Sequence, residues 1–233
     1  MKWAVLVGGR GSNLAALLES GLDVRLVVSH RARVGALDIA ARAGVPARVL
    51  LPRKDEGPVA LDRTLAEWLE AAGIEAVAAA GYLRILRAPV VDRYVGRILN
   101  VHPSLLPAFP GLHALEQALA HGVKVTGVTV HLVDAGLDSG PIVAQEPVPV
   151  LPGDTADTLG ARVQAVEHRL LPAAAWALDE GRLEVRGRQV RWRQTSAGVC
   201  APPGGTRRGA PDKSEPRFGS DTTQVGRRAP CEH

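Results

Sequence analysis

Asn100 and His102 stand two residues apart in the stretch LNVHPSLLPAFPG, at the end of the aliphatic run Arg97–Val101. On an extended segment, side chains two apart point to the same side. An amide donor beside an imidazole suits a developing oxyanion, and the imidazole can also move a proton. Pro103, Pro107 and Pro110 follow and restrict the backbone that would hold the pair. Taken alone, an asparagine at a strand end and a histidine bonded in a loop explain the same residues. Asp138, 36 residues after His102 in VDAGLDSGPIV, offers a carboxylate. Brought close, it would raise the pKa of the imidazole and fix its tautomer.

A second chemical feature is VGGRGSNLAALL near the start. Glycines permit a tight turn, and the N–H groups of Gly11, Ser12 and Asn13 would then open a helix, where unpaired donors and a partial positive charge attract phosphate. No Gly-Lys-Ser/Thr follows, which excludes a Walker loop. Leu14 stands where a dinucleotide fingerprint requires its third glycine. A monophosphate site and a plain turn with Ser12 or Asn13 capping the helix remain level on this loop alone.

The elements that would position these residues alternate along the first half. Strand-length apolar runs occur at Trp3–Val7, Val24–Ser29, ARVLL, Ala76–Leu83 and Arg97–Val101, separated by helix-period segments. Continuous apolar strands joined by helices predict a doubly wound, Rossmann-like α/β fold, with a mostly parallel sheet covered on both faces. VTGVTVHLVD and GPIVAQEPVPV then predict two further strands, antiparallel in this reading. Thr155–Glu180 predicts a long helix that Pro172 should kink or split, and RLEVRGRQVRW a hairpin turning at Gly187.

Hydrophobic residues make up 46% of the 233 residues but aromatics only 3%, so aliphatic side chains must do most of the packing. Half of the +4 net charge comes from residues 195–233, where six Lys/Arg face four acids, so no global basic face for nucleic acid is indicated. That segment also holds both cysteines, Cys200 and Cys231, with six glycines and five prolines, and predicts a disordered tail. The expected division is therefore a catalytic domain over 1–194 and a tail over 195–233. Neither a signal peptide nor a membrane-spanning window is visible, so a cytoplasmic protein is expected. His113, His121 and His168 lack metal-ligand spacing, and no metal is expected. His131, on the apolar run VTVHLV, is expected to be a core or supporting histidine, and Trp68 and Trp176 to be core.

Taken together, GGRGSNLAALL, AGYLRIL, LNVHPSLLPAFPGLHALEQAL, GVTVHLVDAGLDSGPIVAQ and ARVQAVEHRLLP resemble the phosphoribosylglycinamide formyltransferase family, the folate-dependent transformylases of purine synthesis. The resemblance runs from about Met1 to Trp192. It implies that Asn100, His102 and Asp138 are the catalytic trio. Gly11, Ser12 and Asn13 would hold the substrate's ribose phosphate, and Glu167 would lie near its glycyl amine. Leu83, Arg84, Ile85 and Leu86, with Val133 opposite and Asn100 at the reacting end, would line the site of the formyl donor, 10-formyltetrahydrofolate. The partners implied are small molecules, with neither nucleic acid nor membrane, and the chain would be a monomer or weak homodimer. Two positions depart from the family pattern. Gly8 replaces a common serine, and a folate-assisting arginine falls near Pro58, where Arg53, Lys54 or Arg63 are the nearby bases.

The rivals are a formyltetrahydrofolate hydrolase sharing the trio, a methionyl-tRNA formyltransferase and a non-catalytic nucleotide- or phosphate-binding module. The hydrolase usually carries an added N-terminal domain and the tRNA enzyme a C-terminal β domain. The module leaves Asn100, His102 and Asp138 as coincidence. A nicotinamide enzyme would need an acid after the second strand, where VVSHRAR supplies bases.

Overall fold

Trp3–Val7 forms β1 at the centre of a sheet, and its alternate residues enter two different cores. Trp3, Val5 and Val7 join one apolar cluster, while Ala4 and Leu6 join the other. This division is the consequence of a strand covered on both faces, and it explains the unbroken apolar run. The structure, a computed structural model, describes residues 1–193, and the expected tail at 195–233 lies outside the described residues.

Four more parallel strands follow, β2 (Val24–Ser29), β3 (Ala47–Val49), β4 (Ala76–Ala80) and β5 (Ile98–His102). Then β6 (Val125–Leu132) runs antiparallel to β5, and β7 (Ile142–Pro149) antiparallel to β6. The order β3-β2-β1-β4-β5-β6-β7 confirms the mostly parallel, doubly wound expectation. The chain builds outward from β1 in one direction and then from β4 in the other. The crevice between them, beyond the carboxyl ends of β1 and β4, is where such sheets bind ligands.

Helices α1 (Ser12–Glu19), α2 (Gly35–Arg42), α3 (Pro58–Ala71), α4 (Ala88–Val91), α5 (Ala114–Ala120) and α6 (Ala156–Asp179) cover the sheet. The third begins at Pro58, which occupies a first-turn position where a missing N–H costs nothing. The four-residue α4 carries too little periodicity to be foreseen. Strand β4 ends at Ala80 because Gly81 turns the chain at φ 74°, so Tyr82 and Leu83 belong to the following loop.

Pro172 does not split α6. The helix runs through it for 24 residues, opened by a capping box in which Thr155 and Thr158 exchange hydrogen bonds. A proline inside a helix costs about 3 kcal/mol. Here Pro172 is buried along with Leu171, Ala174 and Ala175, and that packing onto the sheet offsets the lost bond. After α6, Leu183–Arg186 (β8) and Gln189–Trp192 (β9) form the expected hairpin around Gly187. Trp68 and Trp176 are partly buried at the margins of the two cores rather than inside them.

Candidate active site

The antiparallel pairing of β5 with β6 sets Asn100 opposite His131 and His102 opposite Thr129. Leu99 and Val101 face one core, so Asn100 and His102 share the opposite face, as the two-residue spacing requires. The register also brings His131 to this pair. It lies on the same face, buried, with its Nε2 3.0 Å from Asn100 Nδ2. Its Nδ1 donates to Leu132 O at 2.9 Å, leaving Nε2 to accept from the asparagine amide. His131 thereby fixes which way Asn100 points, the supporting role among the two expected for it.

Asp138 does reach His102. Its Oδ2 lies 3.4 Å from His102 Nδ1 and accepts from Gly111 N at 2.8 Å, while its Oδ1 lies 3.4 Å from Asn100 Nδ2 and 3.6 Å from His131 Nε2. Burial pushes the Asp138 carboxyl pKa up. The His131 contact, the Gly111 amide and the neighbouring His102 and His131 rings outweigh it, and the net shift is downward. The carboxylate is therefore ionised at neutral pH. His102 Nε2 donates to Phe109 O at 2.8 Å, so both ring nitrogens of His102 face acceptors. A neutral ring satisfies only one of them, and the protonated ring satisfies both.

The proline-rich loop after His102 is held by a buried hydroxyl. Thr129 Oγ1 donates to Ser104 O at 2.7 Å and accepts from Leu106 N at 3.0 Å and from Gln145 Nε2 at 2.9 Å. One donor and both acceptor positions are thereby used. Nothing in the sequence singled out Thr129 or Gln145, since threonine and glutamine on a strand carry no chemical signature.

At the other end of the crevice, Gly11 precedes α1 with φ 87°, a conformation glycine adopts freely, and no side chain caps the helix. The capping alternative for Ser12 and Asn13 is thus excluded. Ser12 Oγ accepts from Gln164 Nε2 at 2.6 Å, and Asn13 Nδ2 donates to Glu167 Oε2 at 2.8 Å. The first α1 bond runs from Ala15 N to Gly11 O, so the N–H groups of Ser12, Asn13 and Leu14 precede the helical ladder. Gln164 was not foreseen; it sits one turn before Glu167 on α6, and that spacing was its only signal. Burial pushes the Glu167 carboxyl pKa up, opposed by the Asn13 amide. Helix α6 packs on both α1 and β5, which links the glycine loop to the strand carrying Asn100.

The loop after β4 supplies apolar surface. Leu83 is 53% exposed and Ile85 50%, whereas Leu86 is buried and Val133 packs partly buried against the same core. The Nε of Arg84 is buried without a hydrogen-bond partner among the described residues. Apolar side chains around a few unused polar groups are what a heterocyclic ligand requires. The nearby departures look different. Pro58 opens α3, and Arg53, Lys54 and Arg63 are all exposed.

The other departure has a structural partner. A Cβ on Gly8 would lie 1.8 Å from Cε1 of His30, whose ring stands edge-on to Tyr82 with centroids 4.9 Å apart. His30 Nδ1 lies 3.1 Å from Val7 O, and burial lowers its pKa, which favours the neutral ring. His30 thus occupies the space a serine at position 8 would need. Gly8→Ser alone is expected to destabilise the fold by about 1–3 kcal/mol through overpacking. Adding His30→Ala should remove much of that cost, a coupling measurable by denaturant unfolding of the double-mutant cycle.

An open α/β sheet that brings together an amide, an imidazole and a carboxylate matches the formyl-transferring class of group-transfer enzymes. The formyl transferase family model matches residues 1–175, and the chain belongs to that family. Among individual proteins, it is 46% identical over 194 residues to phosphoribosylglycinamide formyltransferase from Mycobacterium tuberculosis, covering 79% of this chain and 87% of that one. The crystal structure of glycinamide ribonucleotide transformylase 1 from Symbiobacterium toebii superposes with a TM-score of 0.81 at 48% identity, over 83% of this chain and 94% of that one. The human trifunctional purine biosynthetic protein adenosine-3 is 44% identical over 188 residues, 78% of this chain. The chain spans about a fifth (19%) of that larger protein. No helix among the described residues is long and apolar enough to cross a membrane.

Proposed function

We propose that the protein transfers the formyl group of 10-formyltetrahydrofolate to the amine of glycinamide ribonucleotide, the one-carbon step its relatives' names describe in purine biosynthesis. The observation that carries this reading is the convergence of Asn100, His102 and Asp138 at the end of β5, on a sheet whose first loop offers N–H groups ahead of the helical ladder. Residues 1–194 form the catalytic domain, acting on small molecules in the cytoplasm.

In this mechanism the glycinamide amine attacks the formyl carbon. Its pKa is about 8, as for an α-amino group, so a useful fraction is neutral without a strong base. Negative charge then builds on the formyl oxygen. The Asn100 N–H, engaged with Asp138 by a long 3.4 Å contact, is free to turn to that oxygen. His102 Nε2–H is the second donor, and its bond to Phe109 O is the one to be exchanged. Asp138, 3.4 Å from His102 Nδ1, accepts the proton released by the amine, for delivery to the departing folate nitrogen. Ser12, Asn13 and the Gly11 turn bind the phosphate, Glu167 lies by the amine, and Leu83–Leu86 with Val133 hold the pteridine ring.

The test is to offer the enzyme 10-formyltetrahydrofolate with glycinamide ribonucleotide or with its 5′-dephosphorylated riboside. The expected result is one tetrahydrofolate per formylated acceptor. The KM should rise at least about tenfold for the riboside, from loss of charge-assisted phosphate bonds. Equal KM values would remove the phosphate assignment.

A further inference from the structure

The β8–β9 hairpin lies outside the crevice, yet it touches the segment that carries Asp138. Gly187 and Arg188 form its two-residue turn, with Gly187 at φ 58° and Arg186 paired to Gln189. The hairpin base is fixed, since Arg182 N donates to Ala177 O at the end of α6 and Arg193 N closes onto Arg182 O. Along its second strand, Trp192 Nε1 donates to Val143 O at 2.8 Å. At the tip, Arg188 Nη1 donates to Ser139 O, also at 2.8 Å. Both bonds join residues 49 apart, so the hairpin follows the chain from the Asp138 loop into β7.

Ser139 is the residue after Asp138, which itself has φ 47°. That backbone region is sparsely populated for residues other than glycine and persists where the surroundings over-determine it. On the inner side the determinants are the carboxylate contacts to Gly111, His102, Asn100 and His131. Within the loop, Asp134 Oδ1 accepts from Ser139 Oγ at 2.7 Å and from Gly136 N at 3.0 Å. On the outer side Arg188 supplies a charge-assisted bond to the backbone next to the strained residue.

We propose that Arg188 is a positioning residue for formyl transfer. From the tip of the hairpin it holds the Ser139 carbonyl, so that the Asp138 carboxylate stays in reach of His102 and Asn100. It touches no reacting group. This assignment rests on the function proposed above, although its structural part does not.

Arg188 is exposed, so the Ser139 carbonyl can turn to water in Arg188→Ala and the fold survives. The Gly111 amide, hydrogen-bonded to Asp138 Oδ2, reports the carboxylate's position in amide hydrogen exchange without any assay of activity. For Arg188→Ala, Gly111 exchange should rise and kcat should fall about five- to tenfold, as expected when an orienting bond to a charged group is lost. KM for both substrates should stay within about twofold and Tm within about 2 °C, whereas Arg188→Lys should recover most of the kcat and the protection. Arg186→Ala, which among the described residues removes only a pair with Glu184 on the same strand, should match the wild type. Gly111 exchange and kcat both unchanged in Arg188→Ala would overturn the proposal, as would a fall in Tm with kcat intact. Wild-type enzyme inactive toward the amine, with Gly111 exchange still raised by Arg188→Ala, would sink the reaction assigned above and leave the brace standing.

Discussion

Asn100→Ala should lower kcat for formyl transfer about a hundred- to a thousandfold, the usual loss when one oxyanion donor is removed. KM should change far less, because the interaction strengthens only as charge develops on the formyl oxygen. The asparagine is held by its partners rather than by burial alone. His131 Nε2 accepts one amide proton at 3.0 Å, and Asp138 Oδ1 stands 3.4 Å from the same nitrogen. His102→Ala should cost at least as much, since it removes a donor and leaves the Asp138 carboxylate without its nearest ring partner. The double variant should fall less than the product of the two single losses, because residues acting on one transition state are not additive. Steady-state kinetics on the three variants checks this. Transfer within a few-fold of wild type in both single variants would be incompatible with the assignment.

Asp138→Asn should lower kcat about a hundred- to ten-thousandfold, the range for a lost general acid–base group, while retaining the fold. The amide oxygen of asparagine can still accept from Gly111 N, which Asp138 Oδ2 now does at 2.8 Å. What it cannot do is carry negative charge opposite His102 and His131. In Asp138→Ala the Gly111 amide also loses its acceptor, adding about 1–3 kcal/mol of destabilisation. The pH dependence has a definite sign. The folded-state pKa of Asp138 lies below its ordinary value of 3.8, so its ionised contacts stabilise the fold fully above that value. Their contribution fades as pH falls from 3.8 through the lower folded-state pKa. Stability of the wild type and Asp138→Asn should therefore converge on acidification, which urea unfolding at pH 7 and near pH 3 would detect.

How far the sequence could be read depended on the kind of signal each residue carries. The parallel sheet was visible because strands buried on both faces leave unbroken apolar runs, as in Trp3–Val7 and Ala76–Ala80. Asn100 and His102 were visible as a pair because a strand's two-residue period makes their common side a matter of arithmetic. Whether Asp138 met them was not, since a contact across 36 residues depends on how β5, β6 and the intervening loops close. The same limit hid the connection of His131 to Asn100, which rests on one antiparallel register. Thr129 and Gln145 escaped notice because their work is to satisfy the backbone of Ser104 and Leu106. Of the two outcomes expected at Pro172, the split does not occur, because the burial of the ring offsets the local cost of proline. Gly8, read as a departure, became intelligible once His30 was seen in the space beside it.

The central claim is that this crevice passes a formyl group to an amine rather than to water. The direct measurement supplies wild-type enzyme with 10-formyltetrahydrofolate carrying a 13C-labelled formyl group, with and without glycinamide ribonucleotide, and follows the label by NMR. The account predicts that the label appears as formamide on the acceptor, with tetrahydrofolate formed in step, and that little formate appears when the acceptor is left out. Labelled formate released at the same rate with or without the acceptor would contradict it and assign the Asn100, His102 and Asp138 site to hydrolysis.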